Sequence, residues 1–247
     1  MDAPDPGRVL ARALVAWGLG HLMLGRVTLG RALLIGEVVA LGLVIWLVAG
    51  LADSSAYLVP FLAGIAFIGI WAWQAIDAYR IARRPRPATD LVPERSPAAA
   101  IGALSLPLLV WTTGFWLLAA QHASPAAVLD RFVSDWSAET LTDGAWAPGV
   151  VRAGEAAAAN LGEGTDRFRD VRVRVTDDDG RRATAVAEAI HYERRETRFL
   201  GIFPGSELVP VADELVLTLR LASRPVELPG GGEAGAVRWE LVSADTR

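Results

Sequence analysis

The chain contains neither cysteine nor lysine among its 247 residues. Without cysteine there are no disulfide bonds, no thiol nucleophile and no metal site built from thiolates. The nucleophile-elbow, Walker and dinucleotide-binding glycine motifs do not occur between a predicted strand and a predicted helix, where each of them would be functional. We therefore predict no enzymatic activity and no cofactor. All 24 permanently charged basic residues are arginine, and we attach no mechanism to that.

Charge and hydropathy divide the chain into two halves. Residues 1–123 carry 9 arginines against 7 acidic residues, whereas residues 124–247 carry 15 arginines against 21 acidic residues. The first half also holds nearly all the long apolar runs. An acidic second half disfavours nucleic acid and flat adsorption on anionic lipid, because both reward clustered positive charge. We predict a membrane-embedded first half and a water-soluble second half.

Three apolar segments, 30–52, 57–79 and 98–120, are long enough to cross a bilayer, since a spanning helix needs roughly 20 mostly apolar residues. Segment 9–24 is weaker, because glycines, Arg12 and His21 interrupt it, and we expect a short, uncleaved helix there. It would be interfacial, half-inserted or packed against the others. The predicted fold is an α-helical membrane module of three spanning helices plus this glycine-rich helix, followed by a soluble α+β domain with an antiparallel sheet.

Arginines in the short loops predict the orientation. Loop 80–97 carries five of them and loop 53–56 carries none. Arginine favours the cytoplasmic side, so everything after residue 121 is expected outside the cytoplasm of a multi-pass cell-membrane protein. The linker could dock a partner, but we favour a topogenic loop that meets anionic headgroups. The predicted divisions are a membrane module at 1–84, a cytoplasmic linker at 85–97, a last transmembrane helix at 98–120 and an extracytoplasmic domain at 124–247.

Two stretches of the first half resemble a known family. Residues 17–26 have the sequence WGLGHLMLGR, and residues 70–80 have the sequence IWAWQAIDAYR. They resemble the G-x-G-H/Q-x-Y-x-G-R and W-x-x-x-D-A-Y-R stretches of the two-transmembrane-helix domain family and its bacterial relatives. The chain departs from that pattern at Met23, where the family usually has an aromatic residue. The resemblance covers roughly residues 15–84 and implies a small membrane module with no established enzymatic activity.

Glu37 is the most costly residue of the predicted spans. It lies about 10 Å inside its helix at 1.5 Å per residue, where a lone charge costs on the order of 2.5–3.5 kcal/mol. We expect His21 as its partner, in a hydrogen bond that fixes helix packing or, less favoured, in a proton- or ion-sensing pair. Asp77 is expected to meet Arg80 or the helix end. Three glycines are expected to allow close helix packing: Gly18, Gly20 and Gly25.

In the second half, helical spacing gives way to a period of two. Ser124 followed by Pro125 predicts a helix start, and an alanine-rich second helix is expected at 149–161. Alternating apolar residues then predict antiparallel strands, namely one from 168 and others at 181–193, 214–222 and 235–244. The order of elements loosely resembles the cystatin-like or nuclear-transport-factor-two-like cone, in which helices pack into a curved sheet.

Few polar clusters in this half suggest chemistry. The acidic stretch 177–180 could hold calcium, but a hairpin turn explains Asp-Gly without an ion. His191 and Glu193 share a face of one predicted strand and are weak pocket candidates, although an exposed strand face is the favoured interpretation. Two ligands are too few for a closed metal site, so no metal is predicted. His122 is expected in a polar ring where the chain leaves the membrane.

Three functions remain open. The favoured one is a multi-pass membrane protein whose outer domain binds an envelope protein or a small ligand through the concave face of its sheet, with the lipid bilayer as its other partner. The second is an accessory subunit for transport or envelope assembly, in which the helices act and Glu37 and His21 matter. The third is an enzyme that uses a cavity of the outer domain, with His191 as its base.

Overall fold

Helices precede an antiparallel sheet in the computed structural model, which describes residues 5–83, 97–160, 171–199 and 203–246. The chain forms two units, and each takes in a short piece from the other half of the sequence. The helical unit contains Met1–Ala52, Ala56–Ala119 and Leu228–Gly232. The sheet unit contains Asp53–Ser55, Ala120–Glu227 and Glu233–Arg247. Of the predicted linker at 85–97, residues 85–96 lie outside the described residues, and Pro97 is the first residue of a helix.

The weak first segment forms two helices, not the single helix that we predicted. Helix α1 spans Pro6–Val15, with its first N–H groups capped by the carboxylate of Asp5, and helix α2 spans Leu19–Met23. The chain breaks between them because Gly18 adopts a left-handed backbone with φ of +82°, which glycine tolerates and which ends a right-handed helix.

Two helices of the described chain are long and apolar enough to cross a membrane. They are α3 at Val27–Leu51 and α4 at Leu58–Ala82. Each has 25 residues, or about 37 Å at 1.5 Å per residue, against a hydrocarbon core of about 30 Å. Only 6% and 22% of their most apolar stretches are buried, unlike the core helix of a soluble protein.

The third predicted span is shown only in part. Helix α5 runs over Pro97–Leu118, but the side chains of residues 97–104 lie outside the described part. The apolar stretch that is described, Ser105–Leu118, covers about 21 Å at 1.5 Å per residue and is shorter than a bilayer core. Among the described residues there are therefore two helices of spanning length, not three.

The sheet unit has the predicted α+β order. Ser124 caps the first helix, where its hydroxyl accepts a hydrogen bond from the N–H of Ala127 at 3.2 Å, as predicted. The strands form one antiparallel sheet in the order β1-β2-β3-β4. The elements are α6 at Pro125–Ser137, α7 at Pro148–Asn160, β1 at Val171–Asp178, β2 at Arg182–Phe199, β3 at Phe203–Glu227 and β4 at Glu233–Thr246.

Helices α6 and α7 cover one face of the sheet. Phe132 and Trp136 of α6 are fully or almost fully buried against the strands. Beneath the helices, β2 presents alanines at every second position, and these small side chains leave room for the aromatic rings. The four alanines are Ala183, Ala185, Ala187 and Ala189. Burial at alternate positions confirms the predicted half-buried strands.

The central strands extend beyond their neighbours. The pairing of β1 with β2 ends at Ala189, and the pairing of β4 with β3 ends at Leu217. Beyond those residues, within the described part of the chain, β2 and β3 pair with each other alone, up to Phe199 and Phe203. The sequence predicted much shorter strands here, ending at residue 193 and starting at residue 214.

Candidate functional site

The two stretches that carry the family resemblance lie against each other in the helical unit. The N–H of Gly18 donates to Gln74 Oε1 at 3.1 Å. A side chain added at Gly20 would meet Ala78 at 2.9 Å, and His21 Nε2 lies 3.8 Å from Asp77 Oδ2. Residues 18–21 and 74–78 thus form one packing unit between α2 and α4.

Gln74 holds the break between α1 and α2. Its amide is fully buried; besides accepting from Gly18, it donates to the carbonyl of Ala13 at 2.7 Å and to that of Trp71 at 3.1 Å. A broken helix leaves backbone groups without intrahelical partners, and in an apolar setting each needs another partner. The sequence analysis missed this residue, although a glutamine inside an apolar span was a usable signal.

Glu37 has a different partner from the one we predicted. Its Oε2 accepts a hydrogen bond from the N–H of Trp17 at 3.0 Å, whereas the ring of His21 lies next to Asp77. The predicted partner of Glu37 was His21, on the expectation that the segments flanking residues 27–29 fold back on each other. The break at Gly18 instead leaves the N–H of Trp17 without an intrahelical partner, and it donates to the carboxylate of Glu37.

His21 is the most deeply buried titratable side chain of this cluster. It is 1% exposed and lies beside Asp77. Within the described part of the chain, its Nδ1 has no hydrogen-bond partner, and neither has the buried Nε1 of Trp17. A buried polar atom without a partner costs free energy, so His21 is the residue here that packing alone explains least.

At two of the three predicted packing glycines, a side chain would meet a neighbouring helix or chain segment. A side chain at Gly18 would collide with the backbone of Gly30, and one at Gly20 would come 2.8 Å from the Cβ of Ala13. At Gly25, by contrast, no neighbouring described atom lies within 4 Å of where its Cβ would stand. It serves the turn between α2 and α3 instead, with φ of +75°.

A second polar cluster lies in the sheet unit, around Asp53 and His122. Asp53 Oδ1 accepts the backbone N–H of His122 at 2.8 Å, and Oδ2 lies 2.6 Å from His122 Nδ1. From β4, the Arg238 Nε donates to the carbonyl of Asp53 at 3.1 Å, and its terminal nitrogen lies 3.6 Å from Oδ2. Where we expected a polar ring, His122 pairs specifically with the carboxylate of Asp53, which lies 69 residues away in the sequence.

The cluster continues onto α6. Arg131 Nη1 lies 3.5 Å from His122 Nε2, and its Nε lies 3.8 Å from Asp135 Oδ2. The same carboxylate accepts from the indole N–H of Trp146 at 2.9 Å, and the guanidinium lies over that ring. The ring of His122 thus faces a carboxylate at Nδ1 and a guanidinium at Nε2.

Asp53 is ionised more readily than an ordinary aspartate. Burial acts to raise the pKa of its carboxyl, but hydrogen bonds from the ring and backbone of His122 act in the opposite direction. The charges of His122 and Arg238 add to them, and together they hold the pKa of Asp53 below its ordinary value of 3.8. The carboxylate is therefore charged at any pH near neutrality.

Residues 53–55 extend the edge of the sheet. The N–H of Ser55 donates to the carbonyl of Val237 at 2.9 Å, and the N–H of Val237 donates to the hydroxyl of Ser55 at 3.0 Å. Ser54 between them is fully buried. This short piece of chain covers part of an edge strand, whose free backbone groups would otherwise stay open to pairing.

The remaining predicted sites stay weak. His191 and Glu193 lie on β2 at a shift of register between Ile190 and Tyr192, and their side chains lie outside the described part. The acidic stretch is the predicted hairpin turn, in which Asp179 accepts the N–H groups of Arg181 and Arg182. Those hydrogen bonds hold the pKa of Asp179 below its ordinary value.

Within the described residues, no helix covers the face of the sheet opposite α6 and α7, here called the uncovered face, and it carries ion pairs between strands. Arginines and carboxylates of different strands face each other there, in pairs that order the surface without burying it. The pairs are Arg174 with Glu188 at 3.9 Å, Arg220 with Asp245 at 3.6 Å and Arg224 with Glu240 at 2.8 Å.

No family model, curated protein or solved structure matches this chain. Within the described residues, no group of three or more His, Asp or Glu side chains is placed to hold a metal ion. Function must therefore be inferred from the two polar clusters, the apolar helices and the uncovered sheet face.

Proposed function

We propose that the chain is a multi-pass membrane protein that presents its sheet unit outside the cytoplasm as a binding module. The observation that carries this proposal is the uncovered, ordered face of a sheet whose other face is packed by α6 and α7. The unit belongs to a chain whose α3 and α4 are long and apolar enough to cross a membrane. Lipid is thus one partner, and the uncovered face meets the other.

Exposed apolar surface supports membrane embedding. Along α3, large side chains such as Val38 at 72% and Ile35 at 67% exposure face outward, and α4 exposes Trp73. Contiguous apolar surface on this scale marks a membrane or a protein interface. Because α3 exposes apolar side chains around much of its circumference, surrounding lipid is the simpler explanation.

The chain segments that make up the sheet unit support a topology with three membrane-spanning helices. Residues 53–55, between α3 and α4, belong to the same unit as residues 120–227 and so lie on the same side of any membrane. If α4 crosses from that side, the chain must cross again through α5 to reach residue 120. Its 22 residues measure about 33 Å. We therefore propose α5 as the third spanning helix, and the arginine-free loop 53–56 supports an orientation with the sheet unit outside.

The proposed ligand is an envelope protein or a small molecule that meets the uncovered sheet face. The order of two helices and four antiparallel strands supports the proposed likeness to the cystatin-like or nuclear-transport-factor-two-like cone. The packing of residues 18–21 on 74–78 supports the likeness to the two-transmembrane-helix family, because both signature stretches then serve one contact.

Photo-crosslinking in intact cells tests the binding face. A crosslinking amino acid is introduced into the full-length protein at Thr218 or Val186, which lie on the uncovered face. We expect it to give a discrete adduct between the protein and its ligand. The same group at Glu155, exposed on α7, is the matched control and should give none. Equal adducts at all three positions, or none at any, would contradict binding through the sheet face.

A second candidate function uses the helices. It is supported by the buried His21 beside Asp77 with its unpartnered Nδ1, since titratable groups inside membranes often take part in transport. Asp77→Asn keeps the shape and removes the charge. Under this alternative, the variant loses cellular function in a stable, correctly inserted protein, while the crosslink at Thr218 persists. Retained function would leave the binding module as the better proposal.

A further inference from the structure

Residues 53–55 are held at both ends by different chemistry. Ser55 pairs with Val237 through backbone and hydroxyl hydrogen bonds. Asp53 is held by its carboxylate, of which both oxygens meet His122, and by its carbonyl, which accepts from Arg238. Only the Asp53 end depends on a charge that acid can remove.

We propose that Asp53 and His122 form an acid-released clasp, which holds residues 53–55 on the edge of β4 while Asp53 is ionised and frees them when it is protonated. Protonation removes the negative charge that His122 and Arg238 surround. It also places a hydrogen on one of two oxygens that now only accept. Two donors and a guanidinium would then face a neutral carboxyl, and the hydrogen bonds lose about half of their strength.

The charges around the pair identify Asp53 as the acid sensor. The groups that face it are His122, at the start of the segment leading to α6, and Arg238 of β4. His122 is in turn faced by Arg131 of α6, whose own partner is Asp135. A hydrogen on Nδ1 of His122 can be donated to Asp53 whatever Nε2 meets, so the bond to Asp53 does not depend on the contact with Arg131.

The direction of the pH effect follows from the environment of Asp53. The pKa of this carboxyl lies below its ordinary value of 3.8 in the folded chain. The stabilisation is therefore present above pH 3.8 and is lost as the pH falls through the lower, folded-state pKa. The freed residues lie between the end of α3 at Leu51 and the start of α4 at Leu58, so release loosens the connection of these helices.

Hydrogen exchange of the full-length protein in lipid nanodiscs tests the clasp. We expect the amides of Ser55 and Val237 to be protected at neutral pH. They should lose about tenfold or more of that protection, corrected for the intrinsic rate, once the charge-assisted bonds are lost. The amides of Ala185 and Leu219, in the sheet core, should stay protected at neutral pH and also at the acidic pH that protonates Asp53. Asp53→Asn should show the lowered protection already at neutral pH.

The control is Asp179→Asn, which removes another aspartate of lowered pKa from a turn where it binds Arg181 and Arg182. This variant should leave the exchange profile of Ser55 and Val237 unchanged. The proposal is overturned if Asp53→Asn protects both amides as well as the wild type does. It is also overturned if all four amides lose protection together, since that is global unfolding.

Discussion

At the scale of single residues, the amide of Gln74 makes three hydrogen bonds, two of them to the backbone on either side of the break between α1 and α2. Replacing Gln74 with leucine keeps its approximate size but leaves the N–H of Gly18 and the carbonyl of Ala13 buried without partners. We expect a loss of about 2 kcal/mol or more in the free energy of unfolding, because each such group costs roughly 1–3 kcal/mol. Thermal unfolding in detergent measures this as a lowered Tm.

Ile70→Ala is the control for that substitution. Ile70 lies on the same helix and is 43% exposed, so its truncation should change the unfolding free energy by about 0.5 kcal/mol or less. A Gln74→Leu protein as stable as the wild type would show that the break between α1 and α2 does not need the amide.

The partners of single residues were only partly predictable. The sequence indicated correctly that Glu37 needs a partner, because an isolated charge in an apolar helix is costly. It did not identify Trp17, since a glycine in an apolar segment is compatible with continuing or breaking a helix, and tertiary contacts decide between them. Asp53 and His122 are 69 residues apart, and no local pattern connects them.

At the scale of elements, the contact of α2 with α4 requires glycine at position 20. Gly20→Ala places a methyl group 2.8 Å and 2.9 Å from the side chains of Ala13 and Ala78. Two helices must then move apart, and we expect destabilisation of about 1–3 kcal/mol from overpacking.

Gly36→Ala is the matched test on α3. No described atom lies within 4 Å of its would-be Cβ, and alanine favours a helix by up to about 1 kcal/mol over glycine. We therefore expect unchanged or slightly raised stability. Equal destabilisation by both substitutions would mean that helix propensity, and not the contact with α4, sets the need for glycine.

Strand periodicity predicted the existence of each strand but not its length. Alternation identified the stretches under α6 and α7, where burial differs between the two faces. Beyond Ala189 a shift of register between Ile190 and Tyr192 interrupts the period of two. Pro210 also argued against a strand, yet β3 pairs there only with β2 and can place proline at a free edge.

At the scale of the whole molecule, the sequence predicted one boundary between two parts, whereas each unit also includes a short segment from the other half of the chain. A boundary near residue 124 separates the main parts, but Asp53–Ser55 belongs to the sheet unit and Leu228–Gly232 to the helical unit. Hydropathy averages over windows of about 20 residues, so it cannot assign pieces of three to five residues. A fragment that begins at residue 124 would lack both Asp53 and His122.

The absence of cysteine makes the topology directly testable with single introduced thiols. Val242, which is 53% exposed in the sheet unit, and Ala88, in the arginine-rich linker, should lie on opposite sides if α5 crosses the bilayer. We expect a membrane-impermeant maleimide to label Val242→Cys in intact cells and Ala88→Cys only after permeabilisation. The cysteine-free parent protein controls for background labelling.

Labelling of both positions in intact cells would mean that α5 does not cross. The sheet unit would then share a side with the linker, and residues 53–55 could not belong to it while both α3 and α4 span. The opposite pattern, with Ala88 labelled and Val242 protected, would keep three spans but invert them. The cluster around Asp53 would then face the cytoplasm, where the clasp would have no acidic compartment to respond to.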